Sequence, residues 1–318
     1  MLPIPYPLSP LKFLMNNPNN APSFRQFFYS PEEERLRSGW RLFFHLLILN
    51  FFSILFSLPF VGLVLDPGAR GPAFFLVYGL VAALSITVSV YLARRWLDRR
   101  PFTDLGLQWN GRVVADLLLG FGLTGLMFAV IFLLQWAPGF LQFEGYPLQA
   151  QPLAAVLQGT FLMLLAYILV GWGEELLFRG YWLQNIRQGL NLSWAILITS
   201  VLFALAHLLN PNLSLAAVLG LTLGGLFFAF AYVRTGQLWL PIGIHIGWNF
   251  FEGTIFGFPV SGTEPFSLIQ QTVQGPEIIT GGAFGPEAGL VLLPALLLGA
   301  LIIHVYTVSG KAENHHQD

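Results

Sequence analysis

Gly173-Glu174-Glu175-Leu176-Leu177-Phe178-Arg179-Gly180 lies near the end of an apolar run that begins at Leu153. In a water-soluble protein, two adjacent glutamates and an arginine would be an ordinary charged helix face. At membrane depth such groups are costly, and by default they mark a functional site whose partners must be found. The fold therefore depends on what surrounds this octapeptide.

The 318 residues are 55% hydrophobic and 10% charged, with 30 Phe and 9 Trp, and the mean hydropathy is +0.66. Soluble domains carry about 25% charged residues, so the composition specifies an all-α, polytopic membrane helix bundle. Net charge is −1, which gives no electrostatic basis for nucleic-acid binding. With no cysteine, disulfides, thiol catalysis and Cys-ligated metal are excluded. No short apolar core with a small-residue cleavage site opens the sequence, so no cleaved leader is expected.

Eight apolar spans are expected: roughly Trp40–Leu65, Ala73–Trp96, Val113–Leu134, Leu153–Leu177, Leu192–Leu209, Leu213–Val233, Leu238–Phe258 and Ala288–Val308. Each approaches the roughly 20 residues that cross a bilayer, the fifth being the shortest. Residues 1–39 read as a cytoplasmic tail, 40–310 as a single membrane domain and 311–318 as a short C-terminal tail. Six prolines from Pro3 to Pro22 break the first half of the leading tail. Ser30-Pro31-Glu32-Glu33-Glu34 reads as a helix start.

The basic residues orient the bundle. Lys12, Arg25, Arg35, Arg37 and Arg41 precede or open the first span. Arg94, Arg95, Arg99, Arg100 and Arg112 flank the connection after the second. Arg179 and Arg187 follow the fourth span, Arg234 the sixth and Lys311 the eighth, leaving Arg70 on the opposite side. Eight spans with both termini in the cytoplasm satisfy this asymmetry, in the plasma membrane of the cell.

Spacing then sorts the polar residues. Glu175 and Arg179 are i,i+4 with the acid first, the favourable order for a local ion pair. Glu174 lies about 100° away around the helix and has no local basic partner, so it is the candidate free base. His207 follows Phe203 by four residues on the fifth span, and His245 precedes Asn249 by four on the seventh. Glu252 continues the His245–Asn249 face, either lining the same cavity or serving as an interfacial acid. His45 and His304 read as packing residues.

Glu174 is fifteen residues before Gly189, and His207 is sixteen after Asn191. At about 1.5 Å per residue both lie roughly 22–24 Å from the Gly189-Leu190-Asn191 turn. An antiparallel pair of helices would bring them level, with the fourth helix running past Arg179. His245 lies about 12 Å into its own span. Its meeting with His207 requires a short or sunken fifth span and a turn at Asn210-Pro211-Asn212 within the bundle. Such irregular backbone is tolerated where it lines a cavity, expected here to open toward the cytoplasm.

In order, Glu174-Glu175-x-x-x-Arg179, Phe203-x-x-x-His207 and His245-x-x-x-Asn249 resemble the motifs of the CPBP family, the CAAX-protease and bacteriocin-processing intramembrane proteases. Arg100-Pro101-Phe102-Thr103-Asp104-Leu105-Gly106-Leu107 is similar to a segment found before that family's core. The likeness covers about residues 99–258. It implies hydrolysis of peptide bonds in membrane-associated, hydrophobic or lipidated (CAAX-type) substrates. Glu174 with His207 would activate water, and His245 with Asn249 would stabilise the oxyanion. Glu175, Arg179 and Phe203 would support them.

Two cofactor states stay open. Glu174, His207 and His245 suffice for a three-ligand Zn2+ site, yet there is no His-Glu-x-x-His, and a metal-free glutamate mechanism fits the same residues. Gly-x-Ser-Gly and Gly-Asp, which would signal serine or aspartyl intramembrane proteolysis, are missing. A non-catalytic scaffold or transporter using the Glu/His cluster for ion or partner binding is the competing class. The lipid bilayer is the one certain partner; the sequence assigns no oligomeric state.

Overall fold

Prolines and small polar caps set where the apolar runs become helices. The computed structural model describes residues 24–65 and 71–314. The readings of the early prolines, of Lys12 and of Arg70 fall outside the described residues. Eight principal helices are labelled here: α1 Ser38–Ser57, α2 Pro72–Leu92, α3 Val113–Trp136, α4 Leu153–Glu175, α5 Leu192–Leu205, α6 Leu215–Thr235, α7 Trp239–Asn249 and α8 Leu292–Asn314. Pro72 occupies the first turn of α2, where its missing N–H costs nothing. The Asn191 side chain caps α5 by accepting from the Trp194 N–H, and Ser214 caps α6 by accepting from that of Ala217. Gly236 ends α6 in the left-handed conformation.

Among the described residues six helical runs are long and apolar enough to cross a membrane: Ser38–Leu63, Pro72–Asp98, Val113–Trp136, Leu153–Gly189, Leu215–Thr235 and Leu292–Ser309. The chain is an integral multi-pass membrane protein. Of the eight expected spans, the fifth and seventh fall short of that length. Helix α5 has 14 residues, or roughly 21 Å against the ~30 Å hydrocarbon core. It stops because the chain after it is tied elsewhere: Asn210 Nδ2 donates to the Ser261 carbonyl 2.8 Å away. Helix α7 has 11 residues and passes directly into a π-helical turn, Phe250–Ile255. A second π turn, Leu176–Trp182, links α4 to Leu183–Gly189 and keeps one continuous helix from Leu153 to Gly189.

Ser30–Glu34 does not open a helix. Strand β1 (Tyr29–Ser30) pairs with β2 (Arg35–Leu36), and residues 31–34 form the turn, with Glu34 at φ 52°. The hairpin delivers Arg35, whose guanidinium donates to the Asp98 carbonyl and the Gln188 side chain. These tertiary bonds outweigh a helix-start preference worth only tenths of a kcal/mol to about 1 kcal/mol. A second small sheet pairs β3 (Leu141–Gly145) with β4 (Gln270–Val273). The Gly/Pro-rich connection before α8 is thereby folded onto the bundle.

Helices pack closely where they are small. A Cβ on Gly120 of α3 would lie 2.6 Å from the Ile244 nitrogen of α7. One on Gly247 of α7 would lie 2.1 Å from Thr124 Oγ1. Without a hydrophobic drive between helices in lipid, such backbone approach supplies the packing energy. It also fixes the helix that carries His245 and Asn249.

In the π segment Ala93–Asp98 that follows α2, buried Asp98 receives Arg41 at 3.2 Å and Arg94 at 2.8 Å, and the Tyr181 hydroxyl donates to it at 3.3 Å. Arg94 also donates to the Pro101 carbonyl, anchoring the segment that begins at Arg100.

Candidate active site

Helix α4 brings Glu174 and Glu175 to its last α-helical turn, just before the π segment. Helix α7 likewise ends on Asn249 before its own π turn. Single-turn π segments are rare and occur frequently at functional sites. Gly171 lets the two elements meet: a Cβ there would lie 3.2 Å from the Ile246 nitrogen and 3.4 Å from the His245 Cβ. A Cβ there would be in tight contact with the α7 backbone, so the glycine sets how closely the two elements approach.

His245, 4% exposed, sits between both acids. Its Nδ1 donates to Glu175 Oε1 at 2.8 Å, and its Nε2 faces Glu174 Oε2 at 3.8 Å. The ring lies flat on Phe228, with centroids 4.8 Å apart and planes at 10°.

The fully buried Glu175 Oε1 also accepts from Arg179 at 2.8 Å. Arg179 is completely buried, donates to the Gly225 carbonyl of α6 at 3.0 Å, and lies over the Phe203 and Phe228 rings. Glu175 is thus fixed by a cation on one side and an imidazole on the other. Charge-assisted bonds of this kind are about twice as strong as neutral ones.

Glu174 differs. Its side chain is 21% exposed, and its Oε2 has no hydrogen-bond partner among the described residues. It presents a free carboxylate oxygen to His245 across a gap that is too wide for a direct hydrogen bond. Asn249 is buried one helical turn beyond His245.

His207 is not carried on helix α5 itself. Helix α5 ends at Leu205, so His207 stands on the turn that follows, where its Nδ1 donates to the Phe203 carbonyl at 2.8 Å. No hydrogen bond or ion pair joins it to Glu174 among the described residues. The Phe203 ring lies beside both histidines, with centroids 5.0 Å from His207 and 6.0 Å from His245. The other charge within reach of His207 is Glu287, from the connection before α8.

Among the described residues no three His, Cys, Asp or Glu side chains form a group that could hold a metal ion. The set Glu174, His207 and His245 does not converge as a three-ligand zinc site requires, and no step is routed through a metal here.

Sequence reasoning did not single out Trp248, Ser261 or Glu287. Glu287 is 6% exposed and accepts from Trp248 Nε1 at 3.1 Å and from Ser261 Oγ at 2.7 Å. Trp248 offered the one available signal, three residues after His245 and so near its helix face. His45 is a packing histidine, enclosed beneath Tyr181 and accepting from Trp182 Nε1. The His304 side chain is exposed on α8.

Residues 156–251 match the family model described as Rce1-like, type II CAAX prenyl endopeptidase. This interval contains all three motifs, and the resemblance read from them is borne out. A Bacillus subtilis (strain 168) protein named "Putative membrane peptidase YdiL" is 33% identical over 135 residues, covering 42% of this chain and 51% of that protein. The chain therefore spans about half the length of that relative. An Escherichia coli protein named "Uncharacterized 24.3 kDa protein" is 29% identical over 181 residues, covering 54% of this chain and 76% of its own length.

Proposed function

We propose that this chain is a membrane-embedded endopeptidase of the CAAX type. It cleaves peptide bonds near the end of hydrophobic or lipidated substrates, from a cavity facing the cytoplasm at the cell membrane. One observation carries the reading. Of two adjacent glutamates, buried Glu175 is bound on both sides, while partly exposed Glu174 turns an unpartnered oxygen toward a histidine.

In the proposed reaction a water molecule between Glu174 and the histidines gives a proton to Glu174 as its oxygen attacks the scissile carbonyl carbon. In its neutral form, with Nδ1–H spent on the Phe203 carbonyl, His207 keeps Nε2 as an acceptor for the same water. The carbonyl oxygen becomes an oxyanion and accepts from the Asn249 amide and from His245 Nε2–H, His245 acting in this step as an imidazolium that carries both ring protons, one to Glu175 and one to the oxyanion. Collapse breaks the C–N bond, and the proton held by Glu174 passes to the leaving amine. General base catalysis typically contributes about 10²–10⁴-fold, and preorganised donors to the oxyanion a comparable factor.

Arg179, Glu175 and Phe228 are positioning residues. They hold the His245 ring so that Nε2 points at the reacting oxygen.

The test uses the full chain in detergent with two peptides of one sequence, prenylated and unprenylated, and product masses as readout. Wild type should release the C-terminal fragment, and Glu174→Gln and His245→Ala should not. Equal release by wild type and both variants would overturn the proposal. Cleavage of the unprenylated peptide alone would keep the peptidase and remove the lipid preference.

A further inference from the structure

A second buried acidic site lies beyond the one used above. Glu252 is completely buried in the π turn after α7, and neither of its carboxylate oxygens has a hydrogen-bond partner. It neighbours Glu287: a Cβ on Gly285 would lie 3.5 Å from Glu252 Oε1, and Glu287 follows two residues later. Trp248, one turn before Glu252, gives its N–H to Glu287. Among the described residues neither acid makes an ion pair. Two carboxylates removed from water cost many kcal/mol in the limit of full ionisation, and the histidine within reach, His207, acts on Glu287.

A separate feature points into the same place. Tyr167 of α4 and Thr254 are buried with their hydroxyls near one another, and neither has another hydrogen-bond partner among the described residues. The Tyr167 hydroxyl lies 3.0 Å from where a Cβ on Gly253 would stand, between Glu252 and Thr254, and it feels the Glu252 charge. The folded connection covers the site, since that same Cβ position is 2.5 Å from Pro265 Cγ and 2.6 Å from Val260 Cγ2. Four buried oxygens, two on Glu252 and one each on Tyr167 and Thr254, therefore belong to one covered stretch around the π turn.

We propose that Glu252, Tyr167 and Thr254, beside Glu287, bind a monovalent cation, Na+ or K+, inside the bundle. The donors are hard oxygens, as alkali ions require, with no nitrogen or sulfur among them. Only two are carboxylates, too few to favour a divalent ion built on several charged ligands. The ion would lock the connection before α8 onto α4 and α7, a role separate from peptide hydrolysis.

The experiment is thermal unfolding of the full chain in detergent, at constant ionic strength, with choline replaced stepwise by Na+, K+, Mg2+ or Ca2+. A ligand bound only by the folded state raises stability with concentration. Na+ or K+ should raise the midpoint saturably, by on the order of several degrees. Glu252→Gln should fold and lose that response, and Tyr167→Phe should shift the half-saturating concentration upward by about tenfold. Should Glu252→Gln not fold, the Tyr167→Phe shift decides. Identical curves in choline, Na+ and K+ would overturn the site and leave protonated acids. A response confined to Mg2+ or Ca2+, or one retained unchanged in both variants, would overturn the assignment equally. None of these readouts uses peptide cleavage, so they stand whether or not the chain is a peptidase.

Discussion

Asp98 and Glu174 are acids in apolar surroundings, and they are handled in opposite ways. Asp98 has both carboxylate oxygens occupied, by Arg41, Arg94 and Tyr181, and it is sealed from solvent. Glu174 keeps one oxygen without a partner and is partly open. A buried charge with its bonds made holds helices in register. A charge left short of partners beside a histidine is poised for something absent from the protein itself. The same contrast recurs inside the dipeptide, where Glu175 behaves as Asp98 does and Glu174 does not.

Removing the reactive acid should give the largest effect. Glu174→Gln is expected to lower kcat/KM by about 10³-fold or more, equivalent to roughly 4 kcal/mol. The unfolding midpoint should stay within a few degrees of wild type, since no native hydrogen bond of Oε2 is lost. Steady-state cleavage and thermal unfolding on one preparation check both halves. A large fall in the midpoint would place Glu174 with Asp98 as a structural acid.

Asp98→Ala should produce the mirror image. It leaves Arg94 buried without its counter-ion and Arg41 with Glu33 alone, 3.7 Å away, and breaking such a buried pair typically costs about 3–5 kcal/mol. The folded fraction should keep its KM and its rate per active molecule within about threefold. Loss of rate at full folding would show that the Asp98 cluster reaches the active site through Tyr181, whose hydroxyl it receives.

Asn249→Ala lies between the two. Loss of one oxyanion donor typically costs about 10²–10³ in kcat. A donor used only in the transition state lowers kcat and kcat/KM together, with KM little changed. A raised KM at constant kcat would move Asn249 from oxyanion stabilisation to ground-state binding.

Much of this contrast could be read from sequence, because it is local. Glu175 and Arg179 are one helical turn apart, and the four-residue spacing that pairs them on paper is the one that brings them to 2.8 Å. The apolar runs translated into helices because nothing else satisfies the backbone in lipid. What sequence could not supply was long-range or irregular. His245 Nδ1 meets Glu175 from seventy residues away, through an approach that Gly171 permits. The exact span lengths were hidden at α5 and α7, where hydropathy continues after the helix has ended or become π-helical. Glu287 was invisible for the same reason. It comes from a Gly/Pro-rich connection whose folding depends on the β3–β4 pairing and on Ser261, neither of which has a periodic signature.

Metal removal should have the smallest effect, and it sharpens the comparison by asking whether Glu174 acts alone. A catalytic zinc takes three protein ligands and keeps the fourth position for water. Here His245 Nδ1 is spent on Glu175, and only Nε2 is left to face Glu174. His207 belongs to a different turn, with its Nδ1 on the Phe203 carbonyl. Two donors remain where three are needed. Dialysis against a zinc-selective chelator should therefore leave kcat/KM within about twofold, a change of roughly 0.4 kcal/mol. Elemental analysis of the same sample should find zinc well below one ion per chain. Activity that vanishes on chelation and returns with stoichiometric zinc would show that His207 swings onto the Glu174–His245 pair. In that case the unpartnered oxygen of Glu174 would be a metal ligand rather than a base.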